Sequence, residues 1–257
     1  MNAQDLKTKL TEYIEHLAAL TDDAARSEAM QKWFTACATF YRYSLNNQLL
    51  ILFARPDASL VAGYNDWKKR GRQVQRGEHG IPILAPCTYH EDPENDSSPI
   101  VVKGFRVVFV FDVSQTDGEE LPAQPTWISP AREAELERRL TDFAHAQGIR
   151  VETKELTGQT QGYSEGGSIV LSSHAGTKTL IHEIAHEILK HHGAMLDHRT
   201  RETEAEAVAY TVACHFGLPD LASPNYLALV HSDKDLILAH MTRIREVSAL
   251  IISGVEG

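Results

Sequence analysis

The stretch from Thr177 to Gly193, TKTLIHEIAHEILKHHG, constrains this chain more than any other. Leu180, Ile181, Ile184, Ile188 and Leu189 recur at three- and four-residue steps, the period of a helix with one buried face. Thr177 can cap its start, and Gly193 suits the position just past its end. His182 and His186 lie four apart, so both imidazoles leave the same side of the helix. Glu183 stands beside the first of them. H-E-x-x-H on a helix is the pattern that holds a zinc ion with a carboxylate next to it. A catalytic zinc takes three protein ligands and leaves a fourth position to water. That water ionises at about pH 7, and Glu183 is the catalytic residue expected to take its proton and pass it to a leaving amine. Thirteen histidines make a chance match easier, but an amphipathic, capped helix is the context the motif needs.

A third ligand is expected from a second helix. From Arg201 the chain reads RETEAEAVAYTVACHFG, with Glu202 and Glu206 four apart on one face. Ala205, Val208, Ala209, Val212 and Ala213 make the rest small and apolar, as tight packing on another helix requires. An acidic first turn would suit any helix N-terminus, but it does not account for the apolar continuation. Glu202 is the expected third ligand. Glu206, one turn on, can accept a hydrogen bond from the far nitrogen of a liganding histidine, and Glu204 is held in reserve. The donor set also admits manganese or cobalt. Just upstream, Ser168 to Ser172 reads as a strand, either an ordinary sheet strand or an edge able to pair with an extended peptide. The histidines between His191 and His198 read as a solvated helix end, or as a group placed to polarise a substrate carbonyl.

The chain has 257 residues, 42% apolar and 23% charged, enough for two modest domains of an ordinary soluble protein. A net charge of −10 argues against coating nucleic acid with the whole surface, while leaving room for a local basic patch. Cys37, Cys87 and Cys214 are odd in number and scattered, so a disulfide framework is not expected and a reducing compartment is. The polar start MNAQDLKTKL does not read as a signal peptide, and no apolar run approaches the roughly 20 residues of a membrane span. A cytoplasmic location is the expectation.

Three helices are expected first, from about Asp5 to Leu20, from Ala24 to Phe40, and from Ser44 or Asn46 to a stop at Pro56. Gly63 to Leu84 then reads GYNDWKKRGRQVQRGEHGIPIL. Tyr64 and Trp67 lead into Lys68, Lys69, Arg70, Arg72 and Arg76. Basic side chains interleaved with aromatics can follow a phosphate backbone while bases stack on the rings. A solvated helix end and hairpin around a buried Trp67 fits the pattern equally well. Ile81 to Ala85 and Val101 to Val113 read as strands of a small antiparallel sheet laid on the three helices. The proline-bearing EELPAQPTWISP reads as a linker. A helix from Pro130 to about Gln147, a strand from Ile149 to Glu155 and a last helix from Leu236 to Ile252 complete the chain.

HEIAHE followed by E-x-x-A-E resembles the gluzincin-type metallopeptidases, and among them the ImmA/IrrE-like group. In that group the first glutamate of the second helix is the zinc ligand, which corresponds to Glu202. YSLNNQLLI, the GYNDWKKRGRQVQRGEHGIPI block and VFVFDVSQTDG resemble the amino-terminal domain of ArdC-type antirestriction proteins. The resemblance implies an α+β chain: a single-stranded DNA-binding domain of helices and a small antiparallel sheet over residues 1–120, a linker over 121–130, and a gluzincin-like metallopeptidase domain over 131–257. It implies DNA contacts from Tyr64, Trp67, Lys68, Lys69, Arg70, Arg72 and Arg76, and a peptide or protein substrate for the second domain. The expected function is a zinc metallopeptidase brought to its targets by single-stranded DNA. The alternative is a non-catalytic DNA-binding antirestriction protein with a structural or vestigial metal site.

Overall fold

A computed structural model describes residues 2–19, 23–91, 98–121, 130–158, 160–218 and 234–257. Most of the expected linker and of the irregular stretch after Pro219 lie outside the described residues. In chain order the helices are α1 (Ala3–Ala19), α2 (Asp23–Thr39), α3 (Leu45–Ala54), α4 (Tyr64–Lys69), α5 (Pro130–Ala146), α6 (Thr177–Ile188), α7 (His198–Phe216) and α8 (Lys234–Glu256). The strands are β1 (Val61–Gly63), β2 (Arg72–Val74), β3 (Ile81–His90), β4 (Ile100–Asp112), β5 (Thr116–Gly118), β6 (Arg150–Lys154), β7 (Gly162–Ser164) and β8 (Ser168–Ser172). The fold mixes helices with small sheets. None of the described helices is long and apolar enough to cross a membrane.

Two compact units emerge, Met1–His16 with Tyr43–Ala123, and Leu17–Arg42 with Gln124–Gly257. The second helix therefore belongs with the C-terminal half, whereas the sequence order assigns it to the first domain. The reason is packing. Gln31 donates to the Tyr210 hydroxyl at 3.3 Å, and the Phe34 and Tyr210 rings meet edge-on at 6.5 Å. The sequence shows that residues around α2 form a helix but does not say which core that helix enters.

In the first unit the sheet order is β1-β4-β3, antiparallel throughout, with Leu84 opposite Val107. Leu6 of α1 and Leu50 of α3 pack on Leu84. β3 lies at the edge, and the Asn47 carboxamide bonds both backbone groups of Leu84, at 2.9 Å each. One side chain there does the hydrogen bonding of a neighbouring strand. The turn after β4 is built on Asp112, whose carboxylate accepts from the backbone N–H groups of Ser59, Leu60 and Ser114 at 2.8, 3.1 and 3.0 Å. Burial pushes this carboxyl up, but those bonds outweigh burial and hold it below the usual aspartate range. The FDVSQTDG wording thus encodes a capped turn that leads into the small β2-β5 ladder.

In the second unit β8 is central. It pairs with β6 in parallel and with β7 antiparallel. This corrects the possibility that Ser168–Ser172 offers an open edge; both sides of that strand are taken, and β6 and β7 are the outer strands. The sheet and α5 bury Ile169, Leu136 and Leu140 with Leu180, Ile181 and Ile184 of α6. At the C-terminal end a Cβ on Gly254 would stand 2.3 Å from the Phe143 ring, so α8 approaches α5 this closely only because residue 254 lacks a side chain.

Candidate metal centre and nucleic-acid interface

The cap of α6 lies one residue before the expected one. Gly176 is the capping position, and the Thr177 hydroxyl instead donates to Glu133 and Glu137 of α5 at 2.9 and 2.8 Å. The helix also ends earlier than Gly193. Lys190 turns the chain with φ of 56°, the one described non-glycine residue with positive φ, and a short 3-10 turn, His191–Gly193, follows. α7 starts at an N-cap foreseen by no motif, Asp197, which accepts from the Thr200 N–H at 3.0 Å and from its hydroxyl at 2.6 Å. Ala205, Ala209 and Ala213 of α7 are buried and small, which lets α7 lie close along α6.

That packing brings His182, His186 and Glu202 together. The two Nε2 atoms are 3.0 Å apart, and the Glu202 oxygens lie 3.4 Å from His182 Nε2 and 3.5 Å from His186 Nε2. Three ligand atoms at 2.0–2.1 Å around one tetrahedral ion would be separated by about 3.3 Å. One ligand atom from each of the three residues, all within 4.8 Å of one another, can therefore gather around a single divalent cation. Without such an ion the charges settle among themselves. Burial disfavours a charged His182, but the adjoining Glu202 and Glu206 carboxylates outweigh burial and lift it to about 9. The charged His182 in turn holds Glu202 far below the usual carboxylate range.

Glu206 stands behind His182, its Oε2 3.4 Å from Nδ1, and its other oxygen bonds Lys178. Nδ1 is buried and off hydrogen-bond alignment with that oxygen. Glu183 is buried, and desolvation raises its carboxyl above the usual glutamate range; the Ser164 hydroxyl of β7 and the two histidines pull the other way. Glu204, the reserve ligand, is fully buried away from the triangle. It meets His191, His240 and Arg243, at 3.0, 2.7 and 3.1 Å. Sequence reasoning left all three unassigned and put His191 on a solvated helix end. The structure buries His191 against His186. The signal available in the sequence was a histidine five residues beyond the motif, with nothing to say that the helix stops before it.

In the first unit Trp67 takes the buried position that the second reading of the basic block gave it. Trp67 is fully buried, and its indole N–H donates to the Phe111 carbonyl at 2.8 Å, so no base can stack on it. Arg72 is spent on structure: it donates to the Thr116 hydroxyl and carbonyl at 2.8 Å each and to the Glu119 carbonyl. Tyr64, Lys68, Lys69, Arg70 and Arg76 are exposed. Lys69 pairs with Asp66 at 3.1 Å, Arg70 lies over the Trp67 ring, and Lys68 lies 4.9 Å over the Tyr64 ring. Elsewhere in the unit Phe105 and Phe109 are 46% and 55% exposed, and Lys7 lies 5.2 Å over Phe105.

Residues 3–139, more than half of the chain, match the family model described as the N-terminal domain of anti-restriction factor ArdC. The chain is also similar to the antirestriction ArdC protein from plasmid R388 in two solved structures. The metal-free one is 18% identical, covers 83% of this chain and 85% of that one, and has a TM-score of 0.45. The Mn(II)-bound one is 18% identical, with 83% and 89% covered and a TM-score of 0.44. None of the curated proteins matches the chain.

Proposed function

Because this chain belongs to the family of the N-terminal domain of anti-restriction factor ArdC, we propose that it is an antirestriction protein with two working parts. Its first unit engages single-stranded DNA, and its second holds a divalent metal on His182, His186 and Glu202. The observation that carries the metal half is the convergence of the donors: the two Nε2 atoms lie 3.0 Å apart, with one Glu202 oxygen 3.4 Å from His182 and the other 3.5 Å from His186. Two imidazoles and a carboxylate accept zinc, manganese or cobalt; manganese is the ion seen with the R388 protein.

For the DNA half the contacts shift from the expected set. Trp67 and Arg72 drop out. Tyr64 with Lys68, and Phe105 with Lys7, each offer an exposed ring beside a cation. Stacking rings beside cations suit single strands of any sequence. A gel shift with single- and double-stranded DNA at two salt concentrations tests this half. Elemental analysis of the purified protein tests the metal half, and a protein that takes up no divalent ion at neutral pH refutes it.

A second reading, hydrolysis of a peptide bond, is favoured by one observation, the buried Glu183 carboxyl beside His182. A metal bound there would acidify water and polarise a carbonyl. Glu183 would accept the water proton and return it to the leaving amine. Restriction-protection assays with Glu183→Gln separate the readings. Protection lost while metal and DNA binding persist supports catalysis; full protection supports a non-catalytic metal site.

A further inference from the structure

The side of His186 that faces away from Glu202 ends in a buried relay. His186 Nδ1 lies 2.9 Å from His191 Nδ1, and His191 Nε2 lies 3.0 Å from Glu204 Oε2. Glu204 is fully buried and otherwise surrounded by donors. His240 Nδ1 stands 2.7 Å from Oε1, and Arg243 donates to both oxygens at 3.1 Å. Arg243 also donates to the Leu189 carbonyl at 3.3 Å, which ties α8 to the end of α6.

Proton bookkeeping gives this chain a direction. A carboxylate surrounded by an arginine and two imidazoles is ionised and can only accept. His191 must then carry its proton on Nε2 to donate to Glu204. A neutral His191 therefore presents a lone pair at Nδ1. His186 can satisfy that lone pair only by carrying its own proton on Nδ1, which leaves its Nε2 as a bare lone pair facing His182 and Glu202. We propose that His191 and Glu204 are positioning residues that fix His186 in the tautomer a metal ligand needs, before any metal arrives. The left-handed turn at Lys190 serves this arrangement, because it folds His191 back under the helix that carries His186. The proposal rests on the metal-site reading for its purpose, but the tautomer itself can be observed without metal.

The test uses the full chain. Long-range nitrogen–proton NMR of the metal-free protein reads the tautomer of each histidine. His186 is expected to be protonated at Nδ1 and His191 at Nε2. His191→Phe keeps the bulk of the ring and leaves Glu204 with His240 and Arg243. It should free His186 to exchange tautomers and should weaken Zn(II) and Mn(II) binding by about 10–100-fold in calorimetry, the range for loss of a partner to a liganding histidine. Glu204→Asp, which keeps the acceptor, should recover more of the affinity than Glu204→Gln. Circular dichroism selects the variants that stay folded. The proposal is overturned if wild-type His186 carries its proton on Nε2, or if folded His191→Phe binds metal as tightly as wild type. A wild-type protein that binds neither ion refutes the metal reading alone, and the tautomer measurement still decides the relay.

Discussion

The Nε2 atoms of His182 and His186 face one another at 3.0 Å. Two bare lone pairs at that distance repel, so the pair needs either a proton or a cation between them. Metal and proton therefore compete for one place. With His182 lifted to about 9, the metal-free site keeps its proton at neutral pH. Metal uptake should release that proton, and apparent affinity should rise about tenfold per pH unit between about pH 7 and 9. Calorimetry in two buffers of different ionisation heat counts the proton. The stability of the metal-free protein follows the same group. A folded-state value above the unfolded one means the contribution is complete below about pH 6.5 and is lost as pH rises through 9.

Glu202 and Glu183 should separate cleanly. Glu202→Ala removes a donor atom from the triangle, so it should cost metal affinity more than the roughly 10–100-fold expected for an outer partner. Glu202 is half-exposed at the rim, and the fold should tolerate its loss. Glu183→Gln keeps the triangle and should retain full metal stoichiometry. Elemental analysis of both variants checks the pair.

Trp67 should behave as a core residue. Trp67→Ala is expected to destabilise the protein by about 3–5 kcal/mol, measured by urea unfolding, whereas folded Trp67→Phe should bind single-stranded DNA within about twofold of wild type. Tyr64→Ala and Phe105→Ala should each weaken binding, by about 1–3 kcal/mol if the ring carries a stacked base. Fluorescence anisotropy with a labelled oligonucleotide reads all four variants.

Glu204 sets an acid limit. Burial alone would raise its carboxyl, but His191, His240 and Arg243 outweigh burial and hold it at about 2. A folded-state value below the unfolded one means the contribution is present above about pH 4.5 and lost as pH falls towards 2. The loss is on the order of 3 kcal/mol at most. Unfolding midpoints between pH 7 and pH 3 should fall steeply in the wild type. In Glu204→Gln the dependence should flatten and the protein should start from a lower plateau.

The geometry of the candidate metal site was largely readable because helices repeat. Positions 182 and 186, and positions 202 and 206, differ by four, and a four-residue step fixes a shared face whatever the tertiary setting. What periodicity does not encode is where a helix stops without a glycine or proline to stop it. Lys190 adopts a left-handed conformation that its residue type does not advertise, so the inward return of His191 could not be foreseen. Pairing across the chain was equally hidden. Ser168–Ser172 has the composition of a strand, but its place between β6 and β7 depends on residues before it. Trp67 is an aromatic among cations in the sequence and a core side chain in the fold, because its ring enters the interior while Lys68 and Lys69 leave it.

The paired bonds between Asn47 and Leu84 bear on how the protein behaves in a crowded solution. An unprotected sheet margin recruits stray extended chains, including copies of itself. A terminal amide already seated on both the N–H and the C=O of Leu84 blocks recruitment at that point without the length of another strand. Asn47→Leu would keep the branching of the side chain and strip the guard. Its signature would be concentration-dependent oligomers in sedimentation velocity, from a molecule whose circular dichroism is unchanged.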